Sequence, residues 1–90
     1  MMSEIRTKTI HDSAYQLLVD MLKAARIAAD ITQVDLAASL GTDQSFVSKY
    51  ERLERRLDVI ELRAVCSLLG LDFVTFVAEF EAKLREQEIS

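Results

Sequence analysis

Apolar positions recur along the chain three and four residues apart, the repeat of a helix with one buried face. Tyr15, Leu18, Val19, Leu22 and Ala25 form the first stripe, opened by a Ser13/Gln16 capping box and expected to run to about Ala29. Leu36, Ala37 and Leu40 form a second, short one, capped by Thr32 with Asp35 and stopped by Gly41. Val47 and Tyr50 give the inner side of a third helix, capped by Asp43 and fraying near Arg52 or Leu53. Val59, Leu62, Val65, Cys66 and Leu69 mark the buried side of a fourth, boxed by Asp58 and Glu61 and closed by Gly70. Phe73, Phe76, Val77, Phe80 and Leu84 mark a fifth, opened by Asp72. There is no proline, and both glycines fall just past periodic segments, so the pattern predicts an all-α fold. The ends, about 1–11 and 86–90, lack this pattern and are expected to be loose.

With 90 residues there is room for one domain, divided into a core at about 13–71 and a C-terminal helix at about 72–86. No apolar run approaches the roughly 18 residues that cross a bilayer. The opening MMSEIRTKTI lacks the apolar region of a secretory signal, which makes the cytoplasm the expected compartment. One cysteine, Cys66, and one histidine, His11, supply neither an internal disulfide nor a tetrahedral metal site. Cys66 reads as a small core hydrophobe and His11 as solvent-facing. The acidic residues fall into caps, surface pairs and charged faces. No Ser/His/Asp or metal-ligand spacing can be assembled, so neither catalysis nor a cofactor is expected.

Charge is segregated rather than uniform. The formal net charge is −4, which argues against indiscriminate coating of nucleic acid or acidic lipid. Yet Lys49, Arg52, Arg55 and Arg56 outnumber Glu51 and Glu54 between 44 and 56, leaving +2 there. Between 71 and 90, Asp72, Glu79, Glu81, Glu86 and Glu88 outweigh Lys83 and Arg85, leaving −3.

The basic segment closes the most informative stretch, TQVDLAASLGTDQSFVSKY from Thr32 to Tyr50. Two short helices separated by about three residues, with glycine at the turn and small Ala37 where the helices approach, describe a helix-turn-helix. On its third helix Gln44, Ser45, Ser48, Lys49 and Arg52 recur on the face opposite Val47 and Tyr50. A glutamine can bond an adenine edge twice, a lysine can reach guanine acceptors, and serine serves a base or a phosphate. Short neutral side chains also give up little hydration on being covered.

These residues resemble the Cro/cI-type, or XRE-like, helix-turn-helix regulators. The resemblance runs from about Leu17 to Leu71 through Arg26, ITQVDLA, the glycine turn, QSFVSKYE, ERRLDVIEL and LLGL. It implies a five-helix, lambda-repressor-like fold, with Gln33 bonding a phosphate and bracing Gln44. It further implies Gln44, Ser45 and Lys49 at base edges, and Ser48, Arg52, Arg55 and Arg56 on the DNA backbone. Three positions depart from the family pattern: Asp30 and Leu53 stand where glycines are common, and Thr42 where an apolar residue is. Asp43 at the start of the third helix suits a cap but would repel a phosphate there.

The same residues admit other roles. Arg55 and Arg56 could pair weakly with Glu51 and Glu54, and Lys23 and Arg26 could touch phosphate or simply be exposed. The Phe73, Phe76, Phe80 and Leu84 row could be core or a homodimer interface. The leading function is therefore a sequence-specific transcriptional regulator of double-stranded DNA, a homodimeric repressor reading a near-palindromic operator. The alternative is a protein-interaction module of the antitoxin type, binding a toxin or polymerase through the acidic C-terminal helix.

Overall fold

The computed structural model describes residues 13–89, so the expectations for His11 and the N-terminal segment lie outside the described residues. Five helices follow one another: α1 Ser13–Ala28, α2 Gln33–Leu40, α3 Gln44–Glu51, α4 Val59–Leu68 and α5 Phe73–Ile89. None is long and apolar enough to cross a membrane.

The first four helices end in the same way. Each breaks at a residue in left-handed conformation, namely Asp30 (φ 60°), Gly41 (76°), Leu53 (65°) and Gly70 (76°). The next N–H then reaches back to the last turn: Ile31 to the Arg26 carbonyl at 3.1 Å, Thr42 to Ala37 at 2.9 Å, Glu54 to Lys49 at 2.8 Å and Leu71 to Cys66 at 2.9 Å. This closure satisfies carbonyls that the helix leaves open and reverses the chain within a few residues. Glycine enters the left-handed region freely, whereas other residues incur roughly 1–2 kcal/mol of strain there, aspartate least among charged ones. Leu53 offsets its strain by packing, half-buried, on the core; Asp30 is exposed and has no such return.

Helix starts follow the sequence more closely. Thr32 Oγ1 accepts from the Asp35 N–H at 3.0 Å. Asp58 and Glu61 form a complete capping box, at 2.7 and 2.9 Å. Asp72 accepts from the Thr75 N–H at 3.0 Å. Asp43 differs: it occupies the N-cap of α3, but its carboxylate makes no cap bond and instead accepts from Ser45 Oγ at 2.9 Å.

The core draws Tyr15, Val19 and Leu22 from α1, Leu36 and Ala37 from α2, and Val47 and Tyr50 from α3. Val65, Cys66, Leu69 and Phe76 complete it. Burial pushes the Cys66 thiol up to about 11, so the cysteine is an inert filler. Tyr15 reaches out of the core to hold the α3–α4 connection, donating to the Arg55 carbonyl at 2.8 Å and accepting from the Leu57 N–H at 3.2 Å. The Tyr50 hydroxyl is buried with no hydrogen-bond partner among the described residues. Val59, expected inside, is 61% exposed, because it is the first residue of α4 and precedes the turns that cross the core. The fifth helix runs past 86 to Ile89, since EAKLREQE contains no breaker and Arg85 donates to Glu81 one turn back at 2.7 Å.

Asp30→Gly is expected to raise stability by about 1 kcal/mol, roughly 4–8 °C in Tm for a domain of this size, because strain is removed and no packing is lost. Thermal unfolding followed by circular dichroism reads this, and a lower Tm would mean that the Asp30 side chain stabilises the turn.

Candidate nucleic-acid interface

Helix α3 buries Val47 and Tyr50 completely, which turns the opposite face to solvent. On that face Ser45, Lys49 and Arg52 are exposed and Ser48 is half-buried, with exposed Gln44 on the flank nearer α2. Buried Ala37 lets α3 lie close against α2, and left-handed Gly41 makes the turn between them.

A connected set of hydrogen bonds fixes the α2 side of this face. Arg26 of α1 grips Glu51 of α3 with two bonds, Nε to Oε2 at 2.8 Å and Nη2 to Oε1 at 3.1 Å. Its third bond, from Nη1, goes to the Ile31 carbonyl at 2.8 Å. Glu51 also accepts from Gln33 Nε2 at 2.9 Å, and Gln33 Oε1 in turn accepts from Gln44 Nε2 at 3.2 Å. The ion pair is nearly dry, with side-chain exposures of 11% for Arg26 and 3% for Glu51. The hydrogen bond to Glu51 holds the Arg26 guanidinium above its already high pKa, so its charge is permanent. Gln44 is thereby tied through three side chains to the centre of the fold.

The other end of the face is also internally bonded. Arg52 donates from Nη1 to Ser48 Oγ at 2.6 Å, and from Nε and Nη2 to Glu54 at 3.1 and 3.0 Å. The side chain of Lys49, between the two ends, makes no hydrogen bond to another described residue.

Several expected sites lie elsewhere. Arg26 is 9% exposed and bonded to Glu51, so it neither touches phosphate nor lines an open face; its place on the Val19–Leu22 stripe was the available signal. Glu51 and Glu54 are taken by Arg26 and Arg52, not by Arg55 or Arg56. Arg55 instead forks onto Glu61 at 2.9 Å, with its guanidinium 4.5 Å from the Phe46 ring centre. That bond holds the Glu61 carboxyl below the usual range. Arg56 lies 4.6 Å over the Tyr15 ring. Sequence reading missed Glu51 and Glu54 as positioning groups, because acids beside a basic stripe resemble ordinary surface partners.

The phenylalanine row divides. Phe76 is 4% exposed and belongs to the protomer's own core, so it leaves the candidate interface. Phe73, Phe80 and Leu84 are half-buried. The exposed apolar residues nearby are Val59, Val74 and Val77. With Leu18, Leu62, Phe73 and Phe80 they line a shallow groove of about 400 Å³ between α1, α4 and α5.

Two short helices set by a left-handed turn, the second presenting a polar and basic face, define a DNA-binding transcriptional regulator of the helix-turn-helix class rather than an enzyme. The helix-turn-helix family profile matches residues 22–76, and the chain belongs to this family, in its XRE-type form. Among solved structures, the chain is similar to an XRE-family like protein from Pseudomonas syringae pv. tomato str. DC3000, with 55% identity, TM-score 0.79, and 86% of this chain and 94% of that one covered. It is also similar to a mutant of the restriction-modification controller protein C.Esp1396I, at 25% identity and TM-score 0.72, covering 81% and 92%. The clp gene regulator ClgR from Corynebacterium glutamicum shares the fold at 21% identity and TM-score 0.71, covering 84% and 81%. No curated protein matches the chain.

Removing one partner of a buried ion pair strands the other charge, at about 3–5 kcal/mol. Glu51→Ala is therefore expected to lower unfolding free energy in urea by about 3 kcal/mol or more. A loss under about 1 kcal/mol would show that water reaches Arg26 readily and that the brace is weak.

Proposed function

We propose that this chain is a homodimeric repressor that reads a near-palindromic operator with α3. The observation that carries this reading is the α3 face itself: polar, basic at Lys49 and Arg52, left uncovered by the other described residues, and registered at Gln44 by a buried ion pair. A helix face that only needed solvation would not require such anchoring. Gln33 at the start of α2 binds phosphate, while Gln44, Ser45 and Lys49 lie along base edges. Ser48 and the exposed Arg56 approach the backbone, and Arg55 reaches it only by leaving Glu61. No cofactor takes part, and the protein works in the cytoplasm.

The dimer seam in this reading is the apolar groove, with Val59, Val74 and Val77 from one protomer meeting the same residues of a second. To read successive major grooves, an isologous pairing of this kind has to set two α3 helices about 34 Å apart, one turn of the duplex, and blocking polymerase then requires only occupancy. A control protein of a restriction system, like the similar controller protein, and an antitoxin repressing its own promoter are two settings for such a repressor.

Selection from random duplexes at two salt concentrations tests the reading: an enriched near-palindrome is expected, with affinity falling by about 0.9 log units per log of salt for each phosphate contacted. Lys49→Ala should relax preference at one operator position by roughly 1–3 kcal/mol; equal loss on every sequence would move Lys49 to the backbone. Val74 is 73% exposed, so Val74→Asp should leave the melting of the protomer within about 0.5 kcal/mol yet shift sedimentation to the monomer. An unchanged mass would place the dimer seam elsewhere.

A further inference from the structure

Arg52 and Glu54 are two residues apart, a spacing at which side chains on a continuous helix point away from each other. They meet because left-handed Leu53 turns the chain out of α3, and the Glu54 N–H then closes on the Lys49 carbonyl at 2.8 Å. The carboxylate is thus held beside the last turn by backbone geometry, not only by its charge. It takes the side of the guanidinium formed by Nε and Nη2, at 3.1 and 3.0 Å, while Ser48 takes one hydrogen of Nη1 at 2.6 Å. Of the five guanidinium hydrogens, two remain, one on each terminal nitrogen.

Both side chains are more than half exposed, 56% and 54%, so the pair adds little to stability and its consequence is orientation. The choice of ligand follows from charge. A phosphate brought to Arg52 would come against the fixed Glu54 carboxylate, and the cation it sought is already matched. A neutral acceptor suffers no such repulsion and gains from a guanidinium plane that is held in place. The guanine edge in the major groove is such an acceptor, presenting O6 and N7 side by side to two parallel donors. We propose that Arg52 reads a guanine in each half-site rather than holding the DNA backbone, with Glu54 and Ser48 as the positioning residues that aim it. This rests on the DNA-reading role of α3 proposed above.

The test is selection from random duplexes by the full chain and by its Arg52→Ala, Arg52→Lys and Glu54→Gln variants, with affinity for a non-specific duplex measured in parallel. Wild type should enrich one guanine per half-site that both Arg52 variants lose while keeping the remaining consensus. Glu54→Gln should weaken preference for that guanine by about tenfold, as expected for a degraded bidentate contact, while non-specific affinity is unchanged or rises. A merely structural role for Glu54 would lower both together and overturn the assignment. So would an Arg52→Ala loss spread evenly over all sequences, which marks a phosphate contact. If wild type enriches no sequence at all, the DNA-reading role has failed, and this inference with it.

Discussion

The structure turns on one dry ion pair. Arg26 and Glu51 lie 25 residues apart in the sequence, on α1 and α3, and neither could be left alone in so small a core. Such a pair is a poor source of stability by itself, since the cost of drying two charges consumes most of their attraction. What it supplies is register. The guanidinium fork admits only one arrangement of α1, the α1–α2 turn and α3, because its third bond goes to the Ile31 carbonyl. Gln33 and Gln44 extend the same arrangement to the surface, so a demand of the interior sets the pose of a surface group.

Rapid chain reversal is the second constraint. Short helices packed around few core residues leave no room for wandering connections, and one closure, a left-handed residue followed by a long backbone bond, serves four times. Two of the four positions are glycine and two are not. At Leu53 the strained residue covers core and also swings Glu54 onto Arg52. The strain there sits at the edge of the proposed reading surface, where backbone distortions in proteins tend to collect.

Much of this was legible in the sequence. Apolar periodicity and caps located the helices to within a residue or so, except at the C-terminal end of α5, because α-helical repeat and cap chemistry are local properties. The glycine turn and the Val47–Tyr50 stripe identified α3 and its outward face for the same reason. What could not be read depends on contacts between distant segments. Arg26 looks like any helix-end arginine until Glu51 is seen beneath it. Arg55 has acids nearer in sequence than Glu61, yet the turn after α3 and the Tyr15 tether carry it to α4 instead. Phe76 and Val77 are equally apolar neighbours, and only the packing of α5 on α1 decides which one faces inward.

The contrast between tethered Gln44 and untethered Lys49 bears on how such a protein diverges. Gln44 cannot drift without unsettling the chain of side chains that ends in the α1–α3 pair, whereas Lys49 can be exchanged with little consequence for the fold. Copies of the gene that acquire new targets would therefore change first at the loose position and keep the tethered one. Among descendants, a shared Gln44 would report ancestry, while the residue at Lys49, in the base-reading role proposed for it, would report which promoter each has come to serve.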